Sequence, residues 1–267
     1  MAQILGNIIK KAKGAVEGAV ELFIDNVRQT QYTKCELLEY TTEFKPKSTL
    51  PYDFYRGSAV VYNNEIHILG SDASGNETKH YKWNGSSWTS VSTLPYDFEF
   101  GSAVVYNNEI HILGSYRSET KHYKWDGNSW RWASTLPYKF SRGSAVVYNN
   151  EIHILGSFDN QNYHYKWNGS SWTSASTLPY DFAEGSAVVY NNEIHIIGDY
   201  ISGNRTKHYK WDGSSWKFVS TLPYDCYNGS AVVYNNEIHL LGGSTSEDKH
   251  YYFYRGAGKK YKAIFSS

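Results

Sequence analysis

The chain repeats one pattern of apolar and polar positions. A run of small and β-branched residues, SAVVY, is followed by Asn-Asn and then by EIHIL or a close variant. The eleven residues GSAVVYNNEIH recur unchanged from Gly57, Gly101, Gly143, Gly185 and Gly229. The copies start 44, 42, 42 and 44 residues apart, a period that suits propeller blades or solenoid turns. Asparagine tolerates positive φ, so Asn-Asn between two such runs predicts a two-residue hairpin. A variable segment follows, then KHYKW or a variant, then Asn-Gly or Asp-Gly, as in Asn84-Gly85 and Asp126-Gly127, then SWTSVS or a variant. This predicts a second hairpin. TLPY ends the unit, because proline has no N–H to give a ladder. Each unit is thus predicted to be four antiparallel strands. The first two are apolar on both sides of the alternation, as strands covered on both faces must be. A radial stack of four-stranded blades provides that cover and leaves few edges; an open β-solenoid is the alternative.

Ahead of the repeats the period becomes helical. From Gln3 to Arg28, at 100° per residue, Ile4, Leu5, Ile8, Ile9, Val16, Val20, Phe23 and Val27 fall on one half of the wheel. Lys10, Lys11, Lys13, Glu17, Glu21, Asp25 and Arg28 fall on the other. The pattern predicts an amphipathic helix, about 39 Å long at 1.5 Å per residue. Its glycines, Gly6, Gly14 and Gly18, lower its intrinsic stability, so it needs a partner surface. That surface is the propeller itself, another chain, a second copy or a membrane. Both charge signs on the polar face weigh against the membrane. Residues 1–33 are read as a docking segment and 34–267 as the repeat domain.

From Lys34 onward the chain resembles the kelch-repeat β-propellers. Gly242-Gly243 keeps that family's glycine doublet at the end of the second strand, whereas Gly70, Gly114, Gly156 and Gly198 are followed by Ser or Asp. Tyr81 and Trp88 match the family's Tyr and Trp, as do Tyr123 and Trp130, Tyr165 and Trp172, and Tyr209 and Trp216. The resemblance implies an all-β propeller of four-stranded blades and leaves the activity open. Five blades are expected, with an N-terminal strand closing the ring; six blades, one of them composite, is the alternative. KHYYFYR and KKYKAIF are read as degenerate third and fourth strands of the last unit. CELLEY and EFKPKS are read as a further hairpin before the first.

Divergence between copies falls on one face. The turn between first and second strands is YNNE in every copy, and the turn between third and fourth is nearly constant. The loop between second and third strands varies, and so does the pair before each first strand: Tyr55-Arg56, Glu99-Phe100, Ser141-Arg142, Ala183-Glu184 and Tyr227-Asn228. In an up-and-down blade both variable segments lie on the same side. All ten pair residues are expected around the mouth of the central channel, joined by Tyr116, Arg117, Phe158, Asp159, Tyr200 and Arg205 from the variable loops. In kelch-type propellers that face commonly holds the ligand, and the resemblance implies the same here. Aromatic faces beside carboxylates and guanidinium groups suit a glycan or a protein epitope.

Composition narrows the classes further. Lys plus Arg and Asp plus Glu each number 26, so charge gives no reason to expect nucleic acid. Aromatics reach 17%, with 25 Tyr, which fits an all-β binding protein. The chain has no apolar run long enough to span a membrane and no signal-peptide pattern at its start, so synthesis in a cytoplasm is expected. Ten histidines occur two per unit. Equivalent positions in neighbouring sheets lie about 10 Å apart, too far for shared metal ligation at about 2 Å, so no metal or other cofactor is expected. Catalytic residues usually occur once, whereas every candidate here is repeated or variable, so no enzyme is expected. The near-identical repeats are similar to those in proteins of bacteriophages and prophages of gut Firmicutes. That resemblance implies a virion protein, tail- or neck-associated. It would dock to other structural proteins by its helix and bind host-surface glycan or protein by its propeller face. An intracellular kelch-type scaffold in the cytoplasm is the alternative, and a carbohydrate-active enzyme the next.

Overall fold

The computed structural model describes residues 22–24, 27–29, 48–159, 162–200, 203–242 and 250–253. The chain divides into two compact units, Met1–Lys47 and Ser48–Ser267.

In the first unit, β1 (Leu22–Ile24) and β2 (Val27–Gln29) pair antiparallel, with Phe23 opposite Arg28 and Ile24 opposite Val27. Phe23 and Val27 are therefore in strands, not in the expected helix. Asp25-Asn26, a turn-forming pair, separates Leu22-Phe23-Ile24 from Val27 in the sequence. Helical periodicity counted across the whole segment hid that signal. Ile4, Leu5, Ile8, Ile9, Val16 and Val20 lie outside the described residues, as do CELLEY and most of EFKPKS.

In the second unit each repeat forms its own antiparallel sheet. The first holds β3 (Ser58–Tyr62), β4 (Glu65–Leu69), β5 (Lys79–Trp83) and β6 (Trp88–Thr93), paired in chain order. The second holds β7 (Ser102–Tyr106), β8 (Glu109–Leu113), β9 (Lys121–Trp125) and β10 (Trp130–Thr135). The third holds β11 (Ser144–Tyr148), β12 (Glu151–Leu155), β13 (Tyr163–Trp167) and β14 (Trp172–Thr177). The fourth holds β15 (Ser186–Tyr190), β16 (Glu193–Ile197), β17 (Lys207–Trp211) and β18 (Trp216–Thr221). A last sheet has three strands, β19 (Ser230–Tyr234), β20 (Glu237–Leu241) and β21 (His250–Phe253). The architecture is a β-propeller of four-stranded blades.

The hairpins set the register. Tyr62 pairs with Glu65 across Asn63 and Asn64, whose φ values are 50° and 63°. Two consecutive positive φ values match the twist of the flanking strands. The second hairpin turns at Gly85, φ 99°, and Asn84 Oδ1 accepts the Ser86 and Ser87 N–H groups at 3.0 Å each. Asp126, Asn168 and Asp212 cap the same turn in the next three blades.

Blades pack face to face around the first strands. Tyr62, Leu69, Leu94, Tyr96 and Phe98 meet Ile110, Ile112 and Trp125 of the next blade, and the same set recurs at the following junctions. This explains why first and second strands are apolar on both sides. Polar bonds stitch the same junctions. Ala103 N–H donates to Ser58 Oγ at 3.1 Å. Trp130 Nε1–H donates to Ser92 Oγ at 3.0 Å, and Trp88 does the same to Ser48 at 3.1 Å.

Five complete blades were expected, and the described residues hold four plus the three-stranded sheet. The last copy reads FYRGAGKKY where the others carry Asn-Gly or Asp-Gly. KKYKAIF lies outside the described residues. The two end sheets expose apolar positions that inner blades bury, Ile66 at one end and Val232 and Tyr234 at the other, and positions that inner blades half-bury, Val61 and Val233.

Candidate ligand-binding mouth

The changing pair before each first strand divides into two structural roles. The second residues of the pairs, Arg56, Phe100, Arg142, Glu184 and Asn228, all have φ between 55° and 59°. They are joined in one course of backbone hydrogen bonds. Phe100 N–H donates to the Arg56 carbonyl (2.9 Å), Arg142 to Phe100 (2.7 Å), Glu184 to Arg142 (2.7 Å) and Asn228 to Glu184 (2.8 Å). The following glycine is forced by packing: a Cβ on Gly101 would lie 2.3 Å from the Phe98 ring and 2.6 Å from the Gly114 oxygen.

In the first four pairs the first residue anchors the variable loop of its blade through its carbonyl. Asp72 N–H donates to Tyr55, Tyr116 to Glu99, Phe158 to Ser141 and Tyr200 to Ala183, at 2.7–3.0 Å. Glu99, Ser141 and Ala183 are buried. The expectation that all ten pair residues ring the mouth is therefore corrected: the left-handed turn aims the second residue inward and packs most of the first ones beneath the loops.

The residue after the second-strand glycine completes that anchor, and sequence reasoning missed it. Ser115 Oγ–H donates to the Asp97 carbonyl at 2.7 Å, and the same oxygen accepts Arg117 N–H at 3.2 Å. Ser71 and Ser157 do the same work, and Asp199 Oδ1 accepts Ala183 N–H at 3.1 Å. The available signal was the Ser or Asp that follows the second-strand glycine in four of the five copies, where Gly243 stands in the last.

A cavity of about 690 Å³ opens at this mouth, lined by Tyr55, Arg56, Phe100, Arg142, Glu184 and Asn228 with the following glycines. Its side chains are stacked planes. Two guanidinium groups lie over the Phe100 ring, with Arg56 Cζ 4.4 Å and Arg142 Cζ 4.3 Å from its centroid. Arg56 also covers Tyr55 at 4.5 Å, and Arg142 covers Phe158 at 4.9 Å. Tyr116 tilts against Phe100 with centroids 6.2 Å apart. A second cluster sets Arg205 over Tyr227 at 5.0 Å and Tyr227 against Tyr200 at 5.3 Å.

Carboxylates accompany the cations. Arg56 Nη1 meets Asp72 at 2.7 Å, and Arg142 Nη1 meets Glu184 at 2.6 Å. Arg117 reaches Glu99 at 3.2 Å and Asp97 at 3.7 Å, and Arg205 reaches Asp225 at 3.7 Å. Burial raises the Glu99 carboxyl above its ordinary range, partly offset by Arg117. Asp159 is exposed in its loop.

The opposite face repeats itself. Lys82–Glu65, Lys124–Glu109, Lys166–Glu151 and Lys210–Glu193 pair at 2.8–2.9 Å beside identical Asn-Asn turns. The histidines form a buried chain inside each complete blade: His111 Nδ1 and His122 Nε2 are 2.8 Å apart, and His122 Nδ1 is 2.7 Å from Ser134 Oγ. Burial pushes His111 and His153 down to about 4 and His80, His164 and His208 down to about 3. Among the described residues no three His, Cys, Asp or Glu side chains converge on a metal position.

No family model matches the chain, and no curated protein matches it. Among solved structures, that of YjhT is similar: TM-score 0.63 at 15% identity, covering 74% of this chain and 74% of that one. At that identity the likeness speaks for the fold alone.

Proposed function

We propose that the protein is a non-catalytic binding module whose working surface is the variable mouth. One observation carries the reading. A non-glycine residue at positive φ costs on the order of 1–2 kcal/mol, least for Asn. This chain solves that problem with asparagine at all ten positive-φ positions of the Asn-Asn turns, yet at the mouth it uses Arg, Phe, Arg and Glu at similar φ, with asparagine only at 228. Stability alone favours asparagine or glycine at all five mouth positions. Strained backbone that carries costly, non-repeated side chains is the pattern of a working site.

The setting proposed is a bacteriophage virion, tail- or neck-associated. The module would attach to other structural proteins through residues 1–33 and present the mouth to host-surface glycan or protein. The resemblance of the repeats supports this setting, as it supports a kelch-type descent.

Hydroxyl-radical footprinting of the protein with and without bacterial cell-envelope extract tests the reading. Protection is expected at Tyr55, Tyr116, Phe158 and Tyr200. Protection confined to the Asn-Asn face would overturn it.

A further inference from the structure

We infer that the mouth takes an uncharged saccharide rather than an anionic ligand. This rests on the mouth being the binding surface, and it names the ligand class.

A carboxylate or phosphate ligand gains most from cations whose charge no nearby protein carboxylate already offsets. Here the protein supplies such carboxylates. Arg56 and Arg142 are held by Asp72 and Glu184 at 2.7 and 2.6 Å, and Arg117 and Arg205 face Asp97, Glu99 and Asp225 at 3.2–3.7 Å. An arriving anion would meet a carboxylate beside every guanidinium. Of the two closest pairs, Arg142–Glu184 is mostly covered, so its screening by solvent and salt is reduced, whereas Arg56–Asp72 is exposed.

The acids hold the guanidinium planes against aromatic rings. Phe100 has two over its ring, at 4.4 and 4.3 Å. Beyond this column, Tyr55 (55% exposed), Tyr116 (55%), Phe158 (43%) and Tyr200 (41%) offer their rings to solvent. An aromatic face carries negative quadrupole charge. It attracts weakly positive C–H groups, and one face of a pyranose ring presents several of them without charge. The remaining carboxylate lone pairs and guanidinium N–H groups match the alternating donors and acceptors of sugar hydroxyls. A cavity of about 690 Å³ falls within the range of small-molecule sites and is roomier than one sugar ring needs. The geometry therefore suits a short stretch of an uncharged polysaccharide.

The test is calorimetric titration of the full chain with neutral hexasaccharides, chitohexaose and maltohexaose among them, and with a galacturonate hexamer, each at 50 and 500 mM salt. A neutral hexamer is expected to bind, with Kd changing less than about twofold across the salt range and the acidic hexamer at least tenfold weaker. The variant Tyr55→Ala/Tyr116→Ala/Phe158→Ala should lose at least tenfold in affinity while keeping its thermal transition. Tighter binding of the acidic hexamer with strong salt weakening, or no binding by any hexamer, overturns the ligand class and leaves the mouth reading to its footprint. A bound neutral hexamer that the triple variant holds equally well overturns the mouth as its site.

Discussion

Arg142 is joined to Phe100 twice: its N–H donates to the Phe100 carbonyl at 2.7 Å, and its guanidinium sits 4.3 Å from the Phe100 ring centroid. Backbone and side chain of successive blades are thereby tied at the same point. The course of hydrogen bonds around the mouth fixes where each variable side chain starts, and the stacking fixes where it ends.

That coupling has a measurable cost when broken. Phe100→Leu removes the ring shared by Arg56 and Arg142. Cation–π contacts contribute about 0.5–2 kcal/mol each according to solvation, and both are part-exposed. A loss of about 1–2 kcal/mol is expected in urea unfolding, with an unchanged m-value. No loss would mean that the stacked column contributes nothing to order.

The Asn-Asn turns should tolerate glycine and resist alanine. Asn108 has φ 60°, where a Cβ without a compensating side-chain bond costs about 1 kcal/mol. Asn108→Gly is expected within about 0.5 kcal/mol of the parent and Asn108→Ala about 1 kcal/mol below it, by denaturant melts. Equal stability of the two variants would refute the conformational account of the repeat.

Gly101→Ala should be among the most damaging single changes. Its Cβ would meet the Phe98 ring and the Gly114 carbonyl well inside contact distance, and backbone on one side cannot yield cheaply. Overpacking of a dense junction costs about 1–3 kcal/mol, and a loss near the top of that range is expected. A melting temperature within a degree of the parent would contradict the packing described.

Much of the fold was legible because its signals are local. Asn-Asn and Asn/Asp-Gly between β-branched runs fixed two hairpins per unit, and apolar residues on both sides of SAVVY required cover on both faces. The segment around Phe23 and Val27 was misread because a 3.6-residue count over 26 residues outweighed a two-residue turn signal at Asp25-Asn26. The site was legible as a face and not as a geometry. That Arg56, Phe100, Arg142, Glu184 and Asn228 turn inward while Glu99, Ser141 and Ala183 pack beneath depends on a left-handed backbone that alternation patterns do not encode. Ser115 and its equivalents went unread because their bonds are to backbone carbonyls about 18 residues away.

Acid should unfold the protein through its histidines before its carboxylates. His111 and His153 are held down to about 4, and His80, His164 and His208 to about 3, by burial first and then by neighbouring positive groups, which Glu151 opposes at His153. They are neutral in the fold but take up protons near pH 6.5 once unfolded. The unfolded state then binds more protons, so stability is complete above about pH 6.5 and falls as pH drops toward 4 and 3. Thermal melts from pH 8 to 5 should show a flat melting temperature above pH 7 and a steady fall below 6.5. A flat profile down to pH 5 would contradict the buried neutral histidine chains.

The central claim is that the frame repeats and the mouth recognises, and a single binding titration tests it most directly. Two triple variants are compared with the parent for binding to bacterial cell envelopes: Tyr55→Ala/Phe100→Gly/Arg142→Asn at the mouth, and Asn64→Gly/Asn108→Gly/Asn150→Gly on the opposite face. Glycine and asparagine respect the positive φ at 100 and 142, so both variants should keep the parent's circular dichroism. Anchoring aromatic and Arg side chains contribute about 1–4 kcal/mol each when central to a contact. The mouth variant is expected to lose at least a hundredfold in affinity, and the opposite-face variant less than twofold. Equal losses, or a loss confined to the Asn-Asn face, would contradict the account.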